Sequence, residues 1–378
     1  MSLPSQEVLG CYVLPGRVPD SRPAVTQAVT AEKIGLGTVW LSEKWGTKDP
    51  GAILGAISAT TSTIRIGLAT TNFLTRHPLA LASMGLTLQS LSDGRLLFGV
   101  GRGEVVGTRW SDMGLPAQTN AMLRDHAAIT RRLWAGETVS YHGPGGDYPA
   151  LALHGPLPDL PPPPILLGTY GPKTLSLAGR YFDGVVLPGY LTPDTVRRMA
   201  GVVKKAAADA GRDPAAVMVV ATVITVADLP EEKERETVAG RAVQYFQSAY
   251  GDAVAAENGW DSEPIRRLRA HPRFARLGNV NANLTFLRRE LVDLGDFIPP
   301  EWLTTSCAIG TAQACADRLS EYLAAGADQV ILHGSTADLL ATTVTAFNNK
   351  AAAQCRLFSG SRLRRSARPH GELAGREA

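Results

Sequence analysis

Short apolar runs rich in β-branched residues alternate along this chain with longer segments whose apolar positions recur every three or four residues. The first kind predicts buried strands and the second amphipathic helices. Glu7–Leu14 predicts a strand closed by Pro15-Gly16, Pro23–Ile34 a helix stopped by Gly35, and Thr38–Ser42 a second strand. The alternation continues through a helix at Pro50–Ala59, a strand at Ile64–Ala69, a helix at Leu79–Leu91, a strand at Leu96–Val100 and a helix at Thr119–Trp134. Further strands are predicted at Ile165–Gly168, Asp183–Leu187, Val217–Val226 and Gln329–Leu332. Helices at Pro172–Arg180, Pro193–Ala210 and Thr311–Ala325 separate them, and a closing helix reaches about Lys350.

Eight strands alternating with helices predict an α/β fold, a (β/α)8 TIM barrel; a doubly wound parallel sheet is the alternative and needs a reversal of strand order. Two segments break the rhythm. Gly136–Pro164, rich in Gly and Pro, is a long loop after strand 4, with a short hairpin expected near Ala150–Leu153. Leu229–Leu303 carries no strand signal and reads as a helical insertion after strand 7, with helices at Glu231–Ala249, Pro264–Arg269 and Leu284–Leu294. The expected organisation is one barrel domain over residues 1–354, including the insertion at about 229–303, and a disordered basic tail over 355–378.

Composition narrows the function classes. With 44% hydrophobic and 19% charged residues the chain can bury a large core. The net charge of +3 owes much to the tail, and no basic stripe with interleaved aromatics argues for nucleic acid. No apolar run approaches the ~20 residues that span a membrane. Cys11, Cys307, Cys315 and Cys355 are scattered and form no C-x-x-C pair, which argues against a disulfide scaffold or zinc site and suits a reducing cytoplasm. A small-molecule substrate is the expected partner, with a homodimer left open and no metal expected.

Candidate chemistry gathers where strands end, because parallel α/β folds place their sites at the carboxyl edge. The stretch Ile64–Glu104 reads as strand, loop, helix, turn and strand, and delivers Glu104 just past strand 4. Gly99-Val-Gly101-Arg-Gly103 has the wrong spacing for a dinucleotide fingerprint, and its glycines read as letting the chain turn sharply as it leaves strand 4. Glu43 and Lys44 stand at the end of strand 2. Two carboxylates at one mouth can divide acid and base roles when their environments differ; an ion pair between Glu43 and Lys44 or a nearby arginine is the structural alternative. Thr169-Tyr170-Gly171-Pro172-Lys173 joins strand 5 to a helix, a place where anions bind, or else an ordinary turn. His77 is expected to serve a turn or a helix start, and His333, which ends strand 8 at the mouth, is a candidate site residue.

Several phrases together resemble the bacterial luciferase-like monooxygenase superfamily, and most closely its branch that uses the deazaflavin coenzyme F420. They are Gly37-Thr-Val-Trp-Leu-Ser-Glu43, Ile64-Arg-Ile-Gly67, Arg76-His-Pro78, Leu91-Ser-Asp-Gly-Arg95, Gly99-Val-Gly-Arg-Gly-Glu104, Gly171-Pro172 and Asp183-Gly-Val185. The resemblance implies a barrel holding a flavin or deazaflavin at its mouth. It implies a cis peptide at Ala69-Thr70 behind the ring, a proton-supplying carboxylate at Glu104 and a cofactor contact at Glu43. It also implies a backbone cradle for the cofactor phosphate at Leu167, Gly168, Thr169, Tyr170 and Gly171. Lys44 stands where relatives often carry histidine, which argues against a histidine-based mechanism on a sugar phosphate. The expected function is hydride transfer between coenzyme F420 and a small organic substrate. The alternatives are an FMN-dependent monooxygenase and a non-catalytic flavin-binding protein.

Overall fold

A computed structural model describes residues 3–16, 18–44, 46–103, 109–277 and 282–365. Eight parallel strands form the centre: β1 (Leu9–Tyr12), β2 (Thr38–Leu41), β3 (Arg65–Leu68), β4 (Leu96–Gly101), β5 (Ile165–Gly168), β6 (Gly184–Val186), β7 (Met218–Ala227) and β8 (Gln329–Gly334). Each pairs with the next, and β8 closes on β1 with Leu9 opposite Val330. That closure decides for the barrel over the doubly wound sheet.

Apart from the ten-residue β7 the strands are short, and all are almost wholly apolar because both faces are covered, one by helices and one by the barrel interior. Inside, Trp40 is fully buried beside Tyr12, Leu97, Leu166, Val220 and Ile331. Its indole Nε1 donates to Gln329 Oε1 (3.0 Å), and Gln329 Nε2 donates to Thr38 Oγ1 (2.9 Å), so the buried polar atoms are satisfied. Gly67 makes room for the indole: a Cβ there would stand 2.4 Å from Trp40 Cε3. The outer helices start where their caps dictate. Asp49, Thr119, Thr192 and Thr311 each accept a backbone N–H of the first turn.

Several expectations change. The first strand shortens to Leu9–Tyr12 because Ser5–Val8 forms a helical turn. The hairpin in the long loop lies earlier than expected, as Val139–Gly143 against Gly146–Leu151, because the Gly-Pro-Gly-Gly turn at 143–146 sets it. The expected helix at Leu284–Leu294 is replaced by short 3-10 turns. There Gln244 Nε2 captures the Phe286 carbonyl (2.9 Å) and Arg273 Nη1 the Glu290 carbonyl (2.7 Å), acceptors that a continuous helix would use itself. An unforeseen strand, Ala308–Gly310, adds to the end of β7. The last helix runs Ala341–Arg365, beyond Lys350; residues 366–378 of the expected tail lie outside the described residues.

Candidate functional site

The carboxyl ends of the strands open on a cavity of about 460 Å³. β3 ends in Ala69-Thr70, whose peptide bond is cis. Tyr12, at the end of β1, donates its hydroxyl to the Ala69 carbonyl (3.1 Å). The glycines of β4 fit around this segment. A Cβ on Gly99 would lie 1.8 Å from the Leu68 carbonyl oxygen, and one on Gly101 2.8 Å from Thr70 Oγ1. Gly168 of β5 is held small in the same way, 2.7 Å from Thr70 Cγ2. Gly99 makes room for the Leu68 carbonyl, and Gly101 and Gly168 for the Thr70 side chain. Gly103 provides the sharp exit, with φ +75 and Trp110 packed against it.

One end of the cavity is lined by Arg102, Gly171 and Thr174. Gly171 caps the helix Pro172–Tyr181 without a side-chain acceptor; Pro172 has no N–H and Thr174 N donates to the Gly171 carbonyl (3.0 Å), so the Lys173 N–H is the donor left at the helix start. Beside it, Arg102 donates from Nη1 to the Gln118 carbonyl (2.6 Å) and from Nη2 to Thr174 Oγ1 (3.2 Å) and Asn120 Oδ1. Burial pulls the Arg102 guanidinium below its ordinary value, toward which Tyr170 pulls it back. Among the described residues, the acceptors that hold this arginine are neutral. The opposite wall is aromatic. Tyr170 meets Tyr250 edge-on at 5.6 Å and Tyr250 meets Tyr245 at 5.2 Å, which ties the β5 loop to the insertion. Burial drives the Tyr250 hydroxyl well above its usual range, so it stays protonated.

Of the residues singled out from sequence, Lys44, Ala69, Thr70, Gly168, Thr169, Tyr170 and Gly171 line this cavity. Leu167 is fully buried within β5 and does not. Glu43 lies outside the lining: Arg76 Nη1 meets its Oε1 at 2.6 Å and Thr71 donates to its Oε2 at 2.6 Å. The arginine ion pair is therefore the arrangement found. Lys173 is exposed and also off the cavity. His77 takes its expected place as a helix cap, accepting from Leu79 N. Glu104 lies outside the described residues. Sequence reasoning passed over Tyr12, Arg102, Tyr245 and Tyr250. Arg102 sat inside a motif read for its glycines, and the tyrosines become neighbours only when the insertion folds back over the mouth.

Among the described residues, no group of three or more His, Cys, Asp or Glu is placed to hold a metal ion. No helix among them is long and apolar enough to cross a membrane.

The family model described as luciferase-like monooxygenase matches residues 7–329. The chain is 27% identical over 312 residues to a 5,10-methylenetetrahydromethanopterin reductase of Methanolobus tindarius, covering 80% of this chain and 87% of that one. It is 28% identical over 265 residues to an F420-dependent hydroxymycolic acid dehydrogenase of Mycobacterium tuberculosis, covering 65% of this chain and 70% of that one. Among solved structures, a coenzyme F420 dependent tetrahydromethanopterin reductase from Methanopyrus kandleri superposes with a TM-score of 0.73 at 21% identity, covering 90% and 97% of the two chains.

Proposed function

The chain belongs to the luciferase-like monooxygenase family, and from that premise we propose that it is an oxidoreductase using coenzyme F420 to transfer hydride to or from a small organic substrate. The observation that carries this reading is the shape and polarity of the cavity. A wall of backbone and small residues from Ala69 to Gly101 meets a cationic end at Arg102 and an uncapped helix start at Gly171. A flat heterocycle fits the first and its phosphate the second. Bound there, the deazaflavin would supply the hydride chemistry.

The protein's part is to hold and to exclude. Thr169, Tyr170 and Gly171 would cradle the phosphate, with Arg102 and Thr174 beside it. Ala69 and Thr70 would back the ring. Tyr170, Tyr245 and Tyr250 would close the substrate side against water. Lys44 would line the substrate pocket, and Glu43 would act indirectly by fixing Arg76 and Thr71. Glu104, one residue past the described Gly103, is the acid/base of the proposal. The buried free thiols Cys11, Cys307 and Cys315 suit a cytoplasmic protein, and a homodimer is part of the same reading.

Titration of the purified protein with coenzyme F420 and, separately, with FMN tests it through quenching of cofactor fluorescence. Saturable F420 binding is expected. Tight FMN binding without F420 binding would overturn the proposal in favour of an FMN-dependent monooxygenase.

A further inference from the structure

A second basic site lies across the mouth from Arg102, where the chain brings four basic side chains together. Arg241, on the first long helical stretch of the insertion, is 3% exposed. Its Nη1 meets His333 Nε2 at 2.6 Å, while its Nε and Nη2 are buried without a partner. Arg288 donates from Nη2 to the Pro15 carbonyl (2.7 Å). Lys48 donates to the carbonyls of Gly16 (2.6 Å) and Leu14. These hydrogen bonds go to backbone carbonyls and to a neutral imidazole, not to carboxylates. Glu236 draws on Arg288 from a distance, but it is itself paired with Lys233 at 3.1 Å.

The charges suffer from one another. Burial, then Lys44, Arg241 and Arg288, pulls Lys48 down to about 7. Burial and Arg241 pull Arg288 down to about 9. His333 is driven well below its ordinary value by burial and the same cations, so it is neutral. With Nε2 accepting from Arg241, its proton sits on Nδ1, which also lacks a partner. Three buried donor positions thus face no acceptor. A buried charge without a partner is costly and is kept where something binds it.

We propose that Arg241, Arg288, Lys48 and His333 form a seat for an oxyanion, a carboxylate or phosphate carried by the substrate. Naming the substrate class in this way rests on the oxidoreductase reading above; the seat itself does not. Its place favours substrate over cofactor. The seat gathers at the ends of β8, β1 and β2, whereas the phosphate cradle sits at β4 and β5, and β1 and β5 are four strands apart in the ring. Tyr12 bridges the seat and the cavity: its ring lies 4.4 Å from that of His333, and its hydroxyl reaches the Ala69 carbonyl.

Calorimetric titration with inorganic phosphate, on cofactor-free protein near pH 7, tests the seat. The Arg102→Gln variant should keep a saturable phosphate site, because it alters only the cradle. Arg241→Met and Lys48→Met should each weaken that site by about 10-fold or more. The melting temperature of Arg241→Met without phosphate should match or exceed that of the wild type, since an unpaired buried charge is removed. Phosphate binding that is absent from the Arg102→Gln variant, or undiminished in both Met variants, overturns the seat. Repeating the titration on F420-saturated protein separates the sources of the anion. Retained phosphate binding supports the substrate, and displaced binding overturns that assignment in favour of the cofactor's acidic tail. A protein that binds phosphate through Arg241 yet fails to bind F420 would overturn the proposed function and leave the seat standing.

Discussion

Arg76 and Glu43 meet at 2.6 Å with the Glu43 side chain only 5% exposed and that of Arg76 21%. Arg76 also reaches Asp49 at 2.9 Å, the residue that caps the helix Pro50–Thr60. The pair therefore fastens the loop after β3 to the loop after β2, immediately behind the cavity. Removing one partner of a buried ion pair leaves the other uncompensated. Glu43→Gln is expected to lower stability by roughly 1–3 kcal/mol, read as a shift in the urea midpoint. Cofactor affinity should change far less, because the carboxylate does not line the cavity.

Arg102 should behave in the opposite way. Among the described residues its hydrogen-bond partners are neutral, and it bonds Thr174 in the first turn of the helix after β5. Arg102→Gln is expected to raise the dissociation constant for coenzyme F420 by about 10- to 100-fold, the loss of one charge-assisted contact to a phosphate. Added salt should weaken wild-type binding more than binding to the variant. Equal affinity in the two proteins would remove Arg102 from the cradle.

Acid should destabilise the fold through buried imidazoles. His126 is 4% exposed, stacked 5.2 Å from Phe73, and pulled from 6.5 to about 4 by burial against the opposing pull of Asp125. Between those values the unfolded chain takes up a proton that the folded chain refuses. Stability is therefore full above about pH 6.5 and falls as pH drops toward 4. His333, also depressed, acts in the same direction. From pH 7.5 to 5 the His126 share is on the order of 2 kcal/mol. His126→Leu should flatten the pH dependence of the urea midpoint by about that amount; an unchanged slope would show that His126 carries no such share.

Glu104→Gln tests the proton role directly, once a screen of anionic substrates yields turnover with F420. kcat should fall by about 100-fold or more while cofactor affinity holds. A variant as active as the wild type would assign the proton transfer elsewhere.

The barrel was legible because its signal is local. Each of the eight strands is a buried apolar run next to a proline- or threonine-started helix, and that pattern survives in any tertiary context. The helix start at Gly171-Pro172 was legible for a related reason, as a glycine beside a helix-opening proline reports its own backbone. Arg241 and His333 were not, since 92 positions separate them and only the folded insertion brings them to 2.6 Å. The helix expected at Leu284–Leu294 failed for the same cause, because its carbonyls were taken by Gln244 and Arg273, donors remote in sequence. Glu43 was correctly placed at the mouth, but its partner Arg76 lies on a different loop, and only geometry turns the pair away from the cavity.

The two functions of glycine in this site can be separated by experiment. Gly171 lines the cavity, whereas Gly99 packs against the Leu68 backbone of β3. A Cβ on Gly99 would stand 1.8 Å from the Leu68 carbonyl oxygen, a backbone atom that cannot move aside without shifting β3. Gly99→Ala should therefore cost about 3 kcal/mol or more, or prevent folding, by overpacking. Gly171 has φ −78, which any residue adopts, and a Cβ there meets nothing within 4 Å. Its smallness is not required by the protein. Gly171→Ala should leave the urea midpoint within about 0.5 kcal/mol of wild type. The added methyl projects where the cofactor phosphate would approach the helix start, so F420 affinity should fall by about 10-fold. Unaltered affinity in a stable Gly171→Ala protein would show that the phosphate lies elsewhere, and the cradle would have to be moved from β5.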